Sequence, residues 1–133
     1  ETMQNIIDNN IVYVPTLGRE PQGHLNIAAL NQSGVMFGVG TDSPVEMKNG
    51  NSYRNELSRM VSAGLSDVEA LIAATRNGAI ALGKSKELGT IEVGKFADIL
   101  VIDGQPWQDI NQLKNVEMVI LSGRIAIDKL TVH

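Results

Sequence analysis

Ile11-Val12-Tyr13-Val14 is a short β-branched run closed by Pro15, and Val35-Met36-Phe37-Gly38-Val39 is a second continuous apolar run. Between them Ile27 and Leu30, with Leu25 as a further candidate, fit a helical stripe over residues 24–33, which Ser33-Gly34 ends. Strand, helix and strand in that order form a βαβ unit, and nothing else in the chain constrains its fold so strongly. The unit requires parallel strands joined by a right-handed crossover. Both strands then end on one side of a sheet, where ligands and catalytic groups collect in parallel α/β folds.

The remaining segments extend this pattern. Residues 1–10 read as the end of a helix, and residues 18–23, with two glycines and a proline, as a loop. Thr41 to Ser52 is polar, with Pro44 and Gly50, and reads as a loop longer than ordinary connections. A helix with Leu57, Met60 and Val61 on one face stops at Gly64. Ser66-Asp67-Val68-Glu69 has the form of a capping box. Val68, Leu71, Ile72 and Thr75 then keep helical spacing. Asn77-Gly78 is expected to break that run, and a second short helix carries Ala79, Ala81 and Leu82 to Gly83. Beyond Gly83 the runs 88–91, 97–103 and 116–121 read as short strands, with a last edge strand over 125–132 and turns at Gly94-Lys95, Gly104-Gln105-Pro106 and Ser122-Gly123-Arg124. The chain therefore divides into a βαβα part and a mostly β part.

Composition removes several classes of function. The chain has 133 residues and a net charge of −4, without runs of lysine or arginine, which argues against a nucleic-acid surface. No apolar stretch reaches the ~18 residues of a membrane span. The absence of cysteine excludes a disulfide framework, a thiolate nucleophile and a cysteine-based zinc site. With His24 and His133 as the only histidines, no site built on three imidazoles can come from this chain alone. The sequence opens on Glu1 inside an amphipathic segment, so it is expected to be processed or to be a piece of something longer.

The first candidate for chemistry is Gly38-Val39-Gly40-Thr41-Asp42-Ser43, at the carboxyl end of an apolar strand. A carboxylate there can bind a metal or take a proton, while the bland alternative is a turn or helix cap. As a dinucleotide fingerprint the segment lacks the third glycine and the later acidic residue. His24 follows the glycine-containing loop after the first strand and could face the same mouth, or stand as a solvated surface group. Asp98 and Asp103 flank an apolar run and read as turn carboxylates, and Glu46, Lys48 and Arg54 as residues of a solvated loop or its flank. A hydrolytic zinc needs three protein ligands and an open position. Asp42 and His24 supply two at most, so this chain alone is not expected to hold a catalytic metal tightly.

Several motifs in consecutive order carry a resemblance. Gly40-Thr41-Asp42-Ser43 comes first, then Glu56-Leu57-x-x-Met60-Val61-x-x-Gly64-Leu65-Ser66-x-x-Glu69-Ala70-Leu71. Ala74-Thr75-x-Asn77-x-Ala79-x-x-Leu82-Gly83 and Leu88-Gly89-Thr90-Ile91-Glu92-x-Gly94-Lys95-x-Ala97-Asp98-Ile99 follow, with Val119-Ile120-x-x-Gly123-Arg124 last. Together they resemble the amidohydrolase superfamily, nearest its imidazolonepropionase-like and prolidase-like hydrolases. The resemblance implies an α/β fold: the last two βα units of a (β/α)8 TIM-type barrel over residues 1–83, then over 84–133 the carboxyl-terminal strands of a small β-sandwich. It implies that residues 11–17 and 35–40 are barrel strands seven and eight. In that family the aspartate ending strand eight binds the metal or the hydroxide on it, acts as general base and passes the proton to the leaving group. That role carries over to Asp42 alone, with His24 and Ser43 as candidate substrate contacts.

Two readings follow from these residues. In the first the chain is the carboxyl-terminal segment of a metal-dependent amidohydrolase, cleaving C–N bonds in a cyclic amide or dipeptide-like small molecule. Its divalent metal, expected to be zinc, would need ligands from the amino-terminal barrel portion, so the segment is expected to be inactive alone. The second reading is a non-catalytic truncated module held together as a homo-oligomer through exposed barrel and sandwich edges. Neither involves nucleic acid or a membrane; the compartment is left unknown by the sequence, with the cytoplasm only favoured.

Overall fold

The computed structural model describes residues 2–18, 24–42 and 51–130, apart from the side chains of Thr2, His24 and Leu25. Helix α1 (Thr2–Asp8) leads into strand β1 (Val12–Tyr13), helix α2 (His24–Gln32) and strand β2 (Met36–Phe37). The two strands pair in parallel, Val12 opposite Met36 and Tyr13 opposite Phe37, as the βαβ pattern requires. The ladder continues past its formal end, where the Gly38 N–H donates to the Tyr13 carbonyl at 2.9 Å. Phe37 and Val39 turn toward the helices. Phe37 joins a buried cluster with Leu17, Ile27, Val35, Met60, Leu65 and Ala73, and its ring meets Tyr13 edge-on at 5.8 Å.

Helix α3 (Asn51–Ser62) begins within the segment read as a loop to Ser52, buries Glu56, Leu57 and Met60 on one face, and ends in the Ala63-Gly64 turn. Helix α4 (Asp67–Ile72) has the expected capping box: the Glu69 N–H donates to Ser66 Oγ at 3.2 Å and the Ser66 N–H to Glu69 Oε2 at 2.7 Å. The expected break at Asn77-Gly78 does not occur. The chain instead widens into a π turn over Ala73–Asn77 and continues as helix α5 (Gly78–Ala81), closed by Gly83 at φ +67°.

The β part is an antiparallel sheet in the order β3-β4-β5, from strands β3 (Ile99–Ile102), β4 (Val116–Leu121) and β5 (Arg124–Asp128). Ser122 and Gly123 link β4 to β5 with positive φ at both positions, the two-residue hairpin whose twist suits the flanking strands. Residues 88–91, expected as a strand, form none. Their segment packs back on the helical part instead, with the Gly89 backbone so close that a Cβ there would lie 2.6 Å from the Ala79 methyl.

A 3-10 turn (Ile110–Lys114) fastens the sheet to the helices. Buried Ile110 packs with Leu57 and Ala70, and its N–H donates to Asp67 Oδ1 at 2.6 Å. Among the described residues no helix is long and apolar enough to cross a membrane.

The cap makes stability depend on pH. The bond from the Ser66 N–H, then those from the Ser66 hydroxyl and the Asn31 amide, hold the Glu69 carboxyl below its ordinary value. A carboxyl lowered in the fold stabilises above the unfolded-chain value, and the contribution is lost as pH falls through the folded one. The urea midpoint of the chain should therefore fall on acidification below about pH 4.3. Glu69→Gln should flatten part of that slope; an unchanged slope would contradict the assignment.

Candidate functional site at the carboxyl end of the parallel strands

Because β1 and β2 are parallel, Pro15 to Gly18 and Gly38 to Asp42 leave the sheet at the same end. The two glycines of Gly38-Val39-Gly40 are there for packing. A Cβ on Gly38 would lie 2.9 Å from Val12 Cγ1, and one on Gly40 would lie 2.7 Å from Val14 Cγ1. This close strand contact accounts for the Gly-x-Gly spacing without a phosphate. Asp42 follows with its backbone at φ +43° and its side chain exposed. Aspartate is among the few residues that tolerate this left-handed conformation.

His24, the second candidate, opens α2, and the placement of its side chain lies outside what the structure describes. Ser43, Glu46 and Lys48 lie outside the described residues. Arg54 donates to Asn51 Oδ1 within its own helix. Asp98 accepts from the Ser122 N–H at 2.7 Å and so serves the β4–β5 hairpin, the turn role expected of it. Among the described residues no three histidine, aspartate or glutamate side chains converge as a metal cluster would require. Asp42 fits as one donor of a divalent site but does not form a site by itself.

Two buried polar residues that sequence reasoning passed over hold the strand ends. Glu56 on α3 is fully buried and takes the N–H groups of Leu17 and Gly18 at 2.5 and 3.1 Å. Asn77, in the π turn, donates through Nδ2 to the Phe37 carbonyl at 2.8 Å. Successive strand residues point their backbone groups to opposite edges, and Gly38 already faces β1. The Phe37 carbonyl therefore lies on the edge of β2 away from β1, and the Asn77 amide covers it. A signal for Glu56 was present, since an acidic residue four positions before buried Met60 must share its face.

Beside the strand ends lies an open, largely apolar cleft of about 850 Å3, walled by Val14, Val39, Tyr53, Leu71 and Leu100 among others. Burial raises the Tyr53 phenol above its ordinary value, and its hydroxyl donates to the Ala74 carbonyl at 3.3 Å.

A carboxylate thus follows the second strand of a parallel βαβ unit, and a separate antiparallel sheet comes after it in the chain. Residues 18–126 match the model of the amidohydrolase family, and the chain belongs to that family. It is 31% identical over 138 aligned positions to a 5-methylthioadenosine/S-adenosylhomocysteine deaminase of Thermoanaerobacter pseudethanolicus, covering 88% of this chain and 32% of that protein. A stretch of 46 residues, 35% of this chain and 11% of the other, is 52% identical to an imidazolonepropionase of Syntrophobacter fumaroxidans. Among solved structures, a Xaa-Pro dipeptidase with methionine bound in its active site superposes with a TM-score of 0.83 at 30% identity, covering 92% of this chain and 36% of that one. The chain thus spans about a third of the length of such relatives.

The Asn77 contact predicts a measurable cost. Asn77→Ala leaves the Phe37 carbonyl without its donor, which costs about 1–3 kcal/mol. Asn77→Asp, which points a carboxylate at that oxygen, should cost more at neutral pH. Urea unfolding of the two variants checks this, and an unchanged midpoint in both would contradict it.

Proposed function

We propose that this chain is the carboxyl-terminal segment of a metal-dependent amidohydrolase that cleaves C–N bonds in cyclic amide or dipeptide-like substrates. In this reading residues 1–83 end a (β/α)8 barrel, with β1 and β2 as its last two strands, and residues 84–133 belong to a composite β-sandwich. The observation that carries it is Asp42, a carboxylate on the segment that leaves the second of two parallel strands in a chain of this family. Asp42 would be one holder of a divalent metal, expected to be zinc, and would take a proton from the attacking water and deliver it to the leaving nitrogen. A bound metal supplies the acidity that makes that water a nucleophile near neutral pH. His24 and Ser43 are proposed as substrate contacts.

In this reading the other metal donors belong to the amino-terminal barrel portion, and the segment alone is inactive. The exposed apolar side chains are consistent with a larger body around it: Leu82, Ile91 and Phe96 beyond α5, and Leu100, Ile125 and Ile127 on the sheet, are each about half exposed or more. The same surface favours a second reading, a non-catalytic module that covers these side chains by self-association.

Mixing the chain with the amino-terminal portion of the barrel should restore zinc-dependent hydrolysis of a dipeptide or cyclic amide panel. Asp42→Ala should then lower kcat about 10²–10⁴-fold. Restored activity that survives Asp42→Ala would refute the assignment. Absence of hydrolysis together with a stable oligomer of the isolated chain in sedimentation would favour the second reading.

A further inference from the structure

Glu56 is a buried charge that the proposed chemistry does not use. Its side chain is 0% exposed, yet taking a carboxylate out of water costs several kcal/mol unless hydrogen bonds compensate. Compensation comes from the chain 38 and 39 residues earlier: Oε1 accepts from the Leu17 N–H at 2.5 Å and Oε2 from the Gly18 N–H at 3.1 Å. Arg59, one helical turn on, approaches Oε2 at 3.5 Å from a side chain that is 40% exposed. Arg59 lies close over Gly18, with Nη1 2.8 Å from where a Cβ there would stand. A leucine or methionine at position 56 would suit the face shared with Met60 but would leave both amides without these acceptors. What the carboxylate adds is a grip on the loop after β1, which leaves the sheet at the same end as the segment carrying Asp42.

We propose that Glu56 is a positioning residue of the strand-end mouth, clamping Leu17 and Gly18 to α3 so that Pro15 to Gly18 are fixed where they leave β1 at the mouth. This rests on the hydrolase reading above. Glu56 acts through the loop and touches no reacting atom, so its loss acts on substrate binding more than on the chemical step.

The test uses Glu56→Gln and Glu56→Asp. Glutamine replaces one acceptor oxygen with a donor, and aspartate keeps the charge one methylene short. In the 133-residue chain, Glu56→Gln should speed amide hydrogen exchange at Leu17 and Gly18 about tenfold or more, the scale of one charge-assisted hydrogen bond, while the Ala70 amide in α4 keeps its rate. Glu56→Asp should fall between the two, and it carries the measurement if the glutamine variant does not fold. In the protein reconstituted with its amino-terminal portion, KM for the dipeptide or cyclic amide turned over should rise about tenfold with kcat changed less than about threefold, because a loss of binding shared by ground and transition states appears in KM. Unchanged exchange at Leu17 and Gly18 overturns the clamp. Faster exchange with KM unmoved, or with kcat falling instead, overturns the positioning role. Failure of the wild-type reconstitution to hydrolyse anything overturns the hydrolase reading and this role with it, while the exchange result still decides the clamp.

Discussion

The parallel pairing of β1 with β2 is the constraint on which the rest depends. Two short strands joined by α2 are held in register by Val12 opposite Met36 and Tyr13 opposite Phe37. Reversing either strand would send Gly18 and Asp42 to opposite ends of the sheet, and no common mouth would remain. A two-stranded ladder is weak in water by itself. Its persistence comes from the helical side, where Phe37 packs with Ile27, Met60 and Ala73 in one buried cluster.

Two polar contacts convert that packing into defined strand ends. Apolar burial is non-directional and tolerates small slides, whereas Glu56 and Asn77 each bond particular backbone groups at fixed distances. One holds the loop leaving β1 and the other holds β2 at its outer edge. Both come from the helical segments that follow the strand pair, so α3 and the π turn orient the mouth as well as covering the core. The β part is fastened through Ile110, which packs with Leu57 and Ala70 and bonds Asp67.

Much of this was legible in the residues. The βαβ order implied parallel strands, Ser66 and Glu69 spelled the cap of α4, and Ser122-Gly123 marked the hairpin between β4 and β5. The failures have physical causes. Leu88 to Ile91 has strand-like composition, but a run becomes a strand only beside a partner edge, and here Gly89 lies against Ala79. Asn77-Gly78 looks like a helix stop on propensity alone. One widened turn instead brings the Asn77 amide to the Phe37 carbonyl, and this tertiary bond outweighs the local preference. The place of Asp42 after the second strand was readable from Gly-x-Gly-Thr-Asp, whereas the grip of Glu56 on residues 17 and 18 depends on a contact across 38 positions that no local pattern encodes.

The central claim is that Asp42 is one donor of a divalent metal site whose other donors lie beyond these residues. Calorimetric titration of zinc into the chain combined with its amino-terminal barrel portion measures this directly. The account predicts stoichiometric binding that Asp42→Ala weakens at least about tenfold, the lower end of what loss of a metal-site contact costs. Equal zinc affinity with and without the Asp42 carboxylate would contradict it.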